Sequence, residues 1–146
     1  YTDKLIYQDY RRKLYVRDGI NNVTRTLPFK SSIALLGVDL EDKVYVGALD
    51  YQNKVSIIYY GKLTDDINKW HQINLNTSAD AENIIITQNE GVFIVSKQEN
   101  IVYNIRDDSK VEYNGELVEI LNDYIVTIEY GQLKKEHLTV VKKAAE

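Results

Sequence analysis

Few residues in this chain are equipped for chemistry. Two histidines occur, His71 beside Trp70 and His137 beside Glu136. A triad or a histidine metal site needs each histidine near an acid or a nucleophile. Both histidines read as residues on solvated strand faces; their other use would be titration near pH 6.5. Acidic residues cluster at Asp39-Leu40-Glu41-Asp42, Asp65-Asp66 and Asp107-Asp108. Oxygen clusters of this kind serve Ca²⁺, and paired carboxylates serve glycosidases. Neighbouring carboxylates on a strand point to opposite faces, however. In a loop, aspartate is a turn former, and these clusters read as turns. There is no Cys, which removes disulfides, thiolate zinc sites and cysteine nucleophiles. The glycines, at 19, 37, 47, 61, 91, 115 and 131, fit neither a P-loop nor a dinucleotide fingerprint. The residues therefore predict no catalytic group, no metal and no cofactor, and the expectation is a protein that is not an enzyme.

Recognition chemistry is better supplied. Arg11-Arg12-Lys13 is a basic cluster between Tyr10 and Tyr15. It could grip an anionic polymer, or simply keep a strand edge soluble. Twelve tyrosines are present. Tyrosine offers a broad flat surface with one polar tip, suited to sugar stacking and to protein interfaces. Tyr59 and Tyr60 are adjacent, so one faces inward and the other outward. The candidate binding residues are Tyr10, Arg11, Arg12, Tyr15, Tyr59, Tyr60 and Trp70. Asn22-Val23-Thr24 and Asn76-Thr77-Ser78 match the glycosylation acceptor pattern, as an Asn-rich chain does by chance.

The elements that must position these residues are strands. Tyr, Ile and Val dominate the apolar residues, which make up 44% of the chain, while Asn, Asp and Lys fill the gaps. Strand signals recur every eight to twelve positions, the mark of a sandwich, barrel or propeller. They fall in four groups. The first is 4–9, 13–17 and 22–27, ended by Pro28. The second is 33–38, 44–49, 55–60 and 70–75; the third is 83–88, 92–97, 101–106 and 110–114. The fourth is 117–121, 124–130 and 137–142. Turns are expected at Asp18-Gly19, Glu90-Gly91, Asn114-Gly115, Asn122-Asp123 and Tyr130-Gly131. The one stretch with any helical character is 77–82. No apolar run approaches the roughly 18 residues of a membrane span, so a soluble domain without membrane insertion is expected, in a compartment the sequence leaves open.

The groups look alike. With Tyr7, Tyr45, Phe93 and Val126 taken as equivalent, the spacings are 38, 48 and 33 residues. Their mean, about 40, is the length of a four-stranded propeller blade. The segment Lys4-Leu-Ile-Tyr-Gln-Asp-Tyr-Arg-Arg-Lys-Leu-Tyr-Val-Arg-Asp-Gly19 resembles the repeat of β-propeller proteins of the Tyr-Trp-Thr-Asp and related bacterial or phage classes. The shared features are an aromatic closing one strand, a short loop, a strand reading Lys-Leu-Tyr, and Asp-Gly. That resemblance implies a fold and no activity. The expected architecture is all-β, with irregular blade-like repeats forming a partial or small β-propeller over residues 1–146; the alternative is a β-sandwich or barrel. Propellers carry four to eight blades. With groups of three, four, four and three strands the chain reads as about half of one, and, starting at Tyr1 rather than Met, as a piece of a longer chain or a cleaved product.

Charge is unevenly spread. Residues 1–30 hold seven Lys/Arg and three Asp, a net of +4, against a net of −8 for the remainder. A nucleic-acid binder is usually basic overall; at −4 for the whole chain, nucleic acid is an unlikely partner. The first functional expectation is a β-repeat module for protein–protein interaction or structural assembly. Its setting would be a bacterial surface or a phage tail or virion, in line with Asn/Ile/Lys/Tyr-rich usage. Self-association through the edge strands 4–9 and 137–142 belongs to the same reading. The second is a carbohydrate-binding module or part of a glycan-active protein, with Trp70 and tyrosines stacking on sugar rings. The third is a nucleic-acid-binding β-domain acting through residues 4–30.

Overall fold

The computed structural model describes residues 4–11, 13–20, 23–26, 31–89, 91–121 and 124–137. Arg12, Pro28, Glu90, the Asn122-Asp123 turn, Asn22 of the first acceptor pattern and residues 138–142 lie outside the described residues. The chain divides into two compact units, residues 1–81 and 82–146. Both are built from antiparallel strands. Neither holds, among the described residues, a helix long and apolar enough to cross a membrane.

The first unit contains two sheets. β1 (Lys4–Gln8), β2 (Leu14–Asp18) and β3 (Val23–Thr26) pair in sequence order. β4 (Ile33–Val38), β5 (Lys43–Leu49), β6 (Lys54–Lys62) and β7 (His71–Asp80) do the same. The second unit repeats the plan. β8 (Ile84–Ile86), β9 (Val92–Ser96), β10 (Ile101–Asn104) and β11 (Ser109–Glu112) form one sheet. β12 (Glu116–Leu121), β13 (Tyr124–Glu129) and β14 (Gln132–His137) form the other. Every sheet is an antiparallel meander of consecutive strands, the build of a propeller blade. The all-β, blade-like expectation is met.

Alternation of apolar residues sets the cores. In the first unit Leu14 and Val16 of β2 meet Ile33, Val44, Val46 and Leu63, with Ile6, Tyr59 and Trp70 packed against them. In the second, Phe93, Val95, Val102 and Val111 meet Ile120 and Ile125. β5 is buried on both faces, since Val44, Tyr45 and Val46 are all fully covered. That explains its unbroken run Val44-Tyr45-Val46-Gly47-Ala48-Leu49, which lacks the polar alternation of a half-exposed strand.

Three sequence expectations change. The repeat has a different phase: Tyr7 lies on β1, the first strand of its sheet, whereas Tyr45, Phe93 and Val126 lie on second strands. The residue of the first sheet that corresponds to them is Tyr15 on β2. A strand the sequence reading does not predict, β14, spans Gln132–His137; the expected strand 137–142 lies, beyond His137, outside the described residues. β14 is an edge strand of polar composition, Gln-Leu-Lys-Lys-Glu-His, and such edges carry charge because charge blocks unwanted pairing. It is reached through Tyr130 and Gly131, both at positive φ (53° and 76°), a two-residue turn of the kind that matches strand twist. Finally, the stretch with helical character is divided: β7 runs on to Asp80 and a short 3₁₀ turn covers Ala81–Asn83.

Candidate functional site

Three hairpin turns in the first unit share one construction, Asp-x-x-x-Lys: Asp9 to Lys13, Asp39 to Lys43, and Asp50 to Lys54. In each, the Asp Oδ1 accepts hydrogen bonds from the backbone N–H groups two and four residues on. The distances are 2.9 and 2.9 Å at Asp9, 2.9 and 3.1 Å at Asp39, and 2.8 and 2.9 Å at Asp50. The Asp N–H in turn donates to the Lys carbonyl, at 3.1, 3.1 and 2.9 Å. In the second and third turns the fourth residue sits in the left-handed region, Asp42 and Asn53 both at φ 61°. Asp and Asn enter that region at least cost among residues with a side chain.

The second carboxylate oxygen ties the turn to the sheet. Tyr15, six residues beyond Asp9, donates its hydroxyl to Asp9 Oδ2 at 3.1 Å. Tyr45, six residues beyond Asp39, does the same to Asp39 Oδ2 at 3.0 Å. The Lys13 N–H, joined by the Arg11 N–H and the Tyr15 hydroxyl, holds the Asp9 carboxyl below its usual range. The bond to Asp9 raises the Tyr15 phenol above 10.0, with burial adding to it. A carboxylate whose lone pairs are committed to backbone N–H and phenol donors is a structural group. The acidic cluster at Asp39 is thereby a turn former, the role its sequence position implied.

What these rigid turns hold outward is apolar. The residue after each Asp is a large hydrophobic one: Tyr10 is 87% exposed, Leu40 69% and Tyr51 92%. At the first tip Arg11 Nε donates to the Tyr10 hydroxyl at 2.9 Å, and the guanidinium lies 5.2 Å from the Tyr10 ring centre. Tyr10 and Arg11 are therefore brought together at an exposed tip, while Arg12 lies outside the described residues.

The other candidate residues are placed differently. Tyr15 is half-buried, stacked on Tyr7 with ring centres 5.2 Å apart. Tyr59 packs against the core of the first unit. Tyr60, on the opposite face, is sandwiched between buried Tyr45 at 5.2 Å and exposed His71 at 5.1 Å. These three lie opposite one another on β5, β6 and β7, which makes the stack a product of register. Trp70 packs on the same core as Tyr59 and donates its indole N–H to the Lys62 carbonyl at 3.1 Å. Its ring covers Gly61, where a Cβ would come within 2.5 Å of it. His137 is half-buried, edge-on to Tyr124 at 4.8 Å. Leu40 and Tyr51 were not among the sequence candidates. Their signal was available in the Asp-x-x-x-Lys spacing, which recurs three times within 46 residues.

No protein-family model matches the chain, and no curated protein matches it. A solved structure described as that of streptogramin B lyase is similar to 88% of this chain, with a TM-score of 0.46 and 12% identity. The match takes in 48% of that protein, so this chain spans about half its length. The fold stands on the chain's own four meanders.

Proposed function

We propose that this chain is a non-enzymatic β-repeat module that recognises a protein partner through the tips of its Asp-x-x-x-Lys turns. The observation that carries the reading is the recurrence of an exposed Tyr or Leu directly after the turn aspartate, at Tyr10, Leu40 and Tyr51. Solvent-exposed aromatic residues on pre-organised loops are effective contact residues, because little side-chain freedom is lost on binding. The turn acids are occupied by backbone and phenol donors and so serve to hold the tips. A role in a bacterial surface or virion assembly agrees with the residue usage.

Selection of binders from a random peptide display library tests this without a known partner. The expected result is a set of peptides whose binding falls at least tenfold in the Tyr10→Ser/Tyr51→Ser variant at unchanged melting temperature. Peptide binding indifferent to both substitutions, or no selected peptide at all, overturns it. The exposed rings at Tyr10 and Tyr51 also suit stacking on sugars. Binding on a glycan array, lost in the same variant, would move the carbohydrate reading ahead.

A further inference from the structure

Of the twelve asparagines in the chain, one is followed by glycine: Asn114, ahead of Gly115. Asparagine is a thermolabile residue, because its side-chain amide carbon lies within reach of the next main-chain nitrogen. A side chain on that next residue obstructs the approach, and glycine has none. The pair sits in the connection 113–115, between β11, which ends at Glu112, and β12, which begins at Glu116. Asn114 is exposed. Among the described residues no hydrogen bond holds its amide or the Gly115 N–H. Asn104 shows the opposite case. Its Oδ1 accepts the N–H groups of Arg106 and Asp107 at 3.1 and 3.3 Å, its Nδ2 donates to Asp107 Oδ2 at 3.2 Å, and Ile105 follows it. Nor can the fold dispense with the glycine at 115. Gly115 sits at φ 81°, and a Cβ there would collide with the Ile128 carbonyl.

We propose that Asn114 is a site of spontaneous deamidation, with water the only co-reactant. The Gly115 main-chain nitrogen attacks Asn114 Cγ. The bond from Cγ to the side-chain nitrogen breaks, and that nitrogen leaves as ammonia, carrying the Gly115 proton. The cyclic imide that remains joins both carbonyl carbons of residue 114 to Gly115 N. One water then opens it, and nothing is oxidised or reduced. Cleavage at Cγ leaves an aspartate in an unaltered chain. Cleavage at the main-chain carbonyl leaves an isoaspartate, whose chain runs through Cβ and Cγ and is one carbon longer. Both products add a carboxylate at the surface, between exposed Glu112 and Glu116, where solvent and salt screen it. The isoaspartate also lengthens a link that is fixed at both ends. On one side Tyr113 is buried, and its N–H donates to the Asn100 carbonyl at 3.0 Å. On the other, Gly115 lies against the Ile128 carbonyl, one residue before Glu116 opens the β12–β13 ladder opposite Ile128. An extra backbone atom displaces one anchor or the other. The isoaspartyl chain is therefore the less stable product, and the aspartyl chain keeps the fold of the unmodified one. None of this depends on the turn tips.

Incubation of the full, folded chain at mildly alkaline pH and physiological temperature tests it. Peptide mass mapping places each conversion, and an isoaspartyl methyltransferase detects isoaspartate in the peptide that holds residue 114. Conversion there is expected at least tenfold faster than at any other asparagine. Asn114→Gln, which cannot close the same ring, is expected to lose the signal from that peptide. The converted chain is more acidic and separates by ion exchange. Its isoaspartyl form is expected to melt below the unmodified chain, whereas Asn114→Asp, with the charge but not the longer backbone, is expected to melt with it. An Asn114 that stays intact in the folded chain while the urea-unfolded chain converts overturns the proposal, and so does conversion spread evenly over the asparagines. An isoaspartyl form that melts with Asn114→Asp overturns the consequence drawn for the link. Peptide binding at the turn tips is read independently of residue 114, so the two readings fail separately.

Discussion

The Asp39 turn in the first unit and the Thr87 turn in the second occupy the same place in their sheets, joining first strand to second. Both close with the same backbone bond, from the N–H of the first residue to the carbonyl of the fifth, at 3.1 Å for Asp39–Lys43 and 2.9 Å for Thr87–Gly91. Their side-chain chemistry differs. Asp39 takes two N–H groups and the Tyr45 hydroxyl on one buried carboxylate. Thr87 accepts a single N–H, from Gly91 at 2.9 Å, and the residue six positions on is Phe93, which has no hydroxyl to give. The Thr turn is tighter: a Cβ on Gly91 would meet Thr87 Oγ1 at 2.4 Å and the Phe93 ring at 2.7 Å. One closing backbone bond is thus supported by a charged three-bond clamp or by close packing around a glycine.

That contrast is open to test. The largest effect is expected from Asp39→Ala, which leaves two N–H groups and a phenol without their acceptor. Unmade buried hydrogen bonds cost about 1–3 kcal/mol each, so a loss of about 3 kcal/mol and a fall in melting temperature of roughly 10 °C are expected. Thr87→Val, which removes one acceptor, should cost about 1 kcal/mol on the same scale. Calorimetry on both variants checks the ranking, and equal losses would mean that the carboxylate clamp adds nothing.

Transplanting the clamp sharpens the comparison. Thr87→Asp alone should destabilise, because its second oxygen lacks a partner. Adding Phe93→Tyr should recover about 1 kcal/mol of coupling in a double-mutant cycle. A cycle that closes at zero would separate the phenol from the turn.

The smallest effect is a pH dependence at the exposed Asp9 turn. Asp9 is held below its ordinary value of 3.8, so its contribution is present at neutral pH and is lost as the pH falls through the folded-state value. Tyr15 is raised above 10.0, so its contribution is present at neutral pH and is lost as the pH climbs past that point. Tyrosinate absorbance should show one phenol released to lower pH in Asp9→Asn. An unchanged titration would dissociate Tyr15 from Asp9.

Much of the fold was legible because turn residues punctuate it. β4 spans Ile33–Val38, the same bounds that the apolar run predicts. Two strands were misread for physical reasons. β14 is polar because it is an edge. β7 continues past Leu75 through an irregularity: Ala79 lies opposite Val55 and Asn74 opposite Ile57, which leaves Leu75 to Ser78 facing Ser56 alone. A bulge of that size breaks the period-two pattern on which strand reading depends. The candidate site was legible at Tyr10 and Arg11, where the basic loop and its aromatic flank stand out. Tyr59 and Trp70 look the same in sequence but pack on the core. Tyr59 and Tyr60 do alternate faces, yet neither is bare, because the second sheet is covered on both sides of β5. Alternation gives the face; only tertiary packing gives what lies on it.

The six-residue interval from Asp39 to Tyr45 also governs where this chain tolerates a change of length. One residue added inside it would separate the carboxylate from its phenol and turn every later β5 side chain to the opposite face. Val44 and Val46 would leave the core for the side that Tyr45 now occupies. The loop at Thr64–Asp66 is exposed and carries no such clamp, so the same single residue would be absorbed there. Lengthening in the first unit is permitted in the β6–β7 connection and forbidden at the Asp-x-x-x-Lys turns.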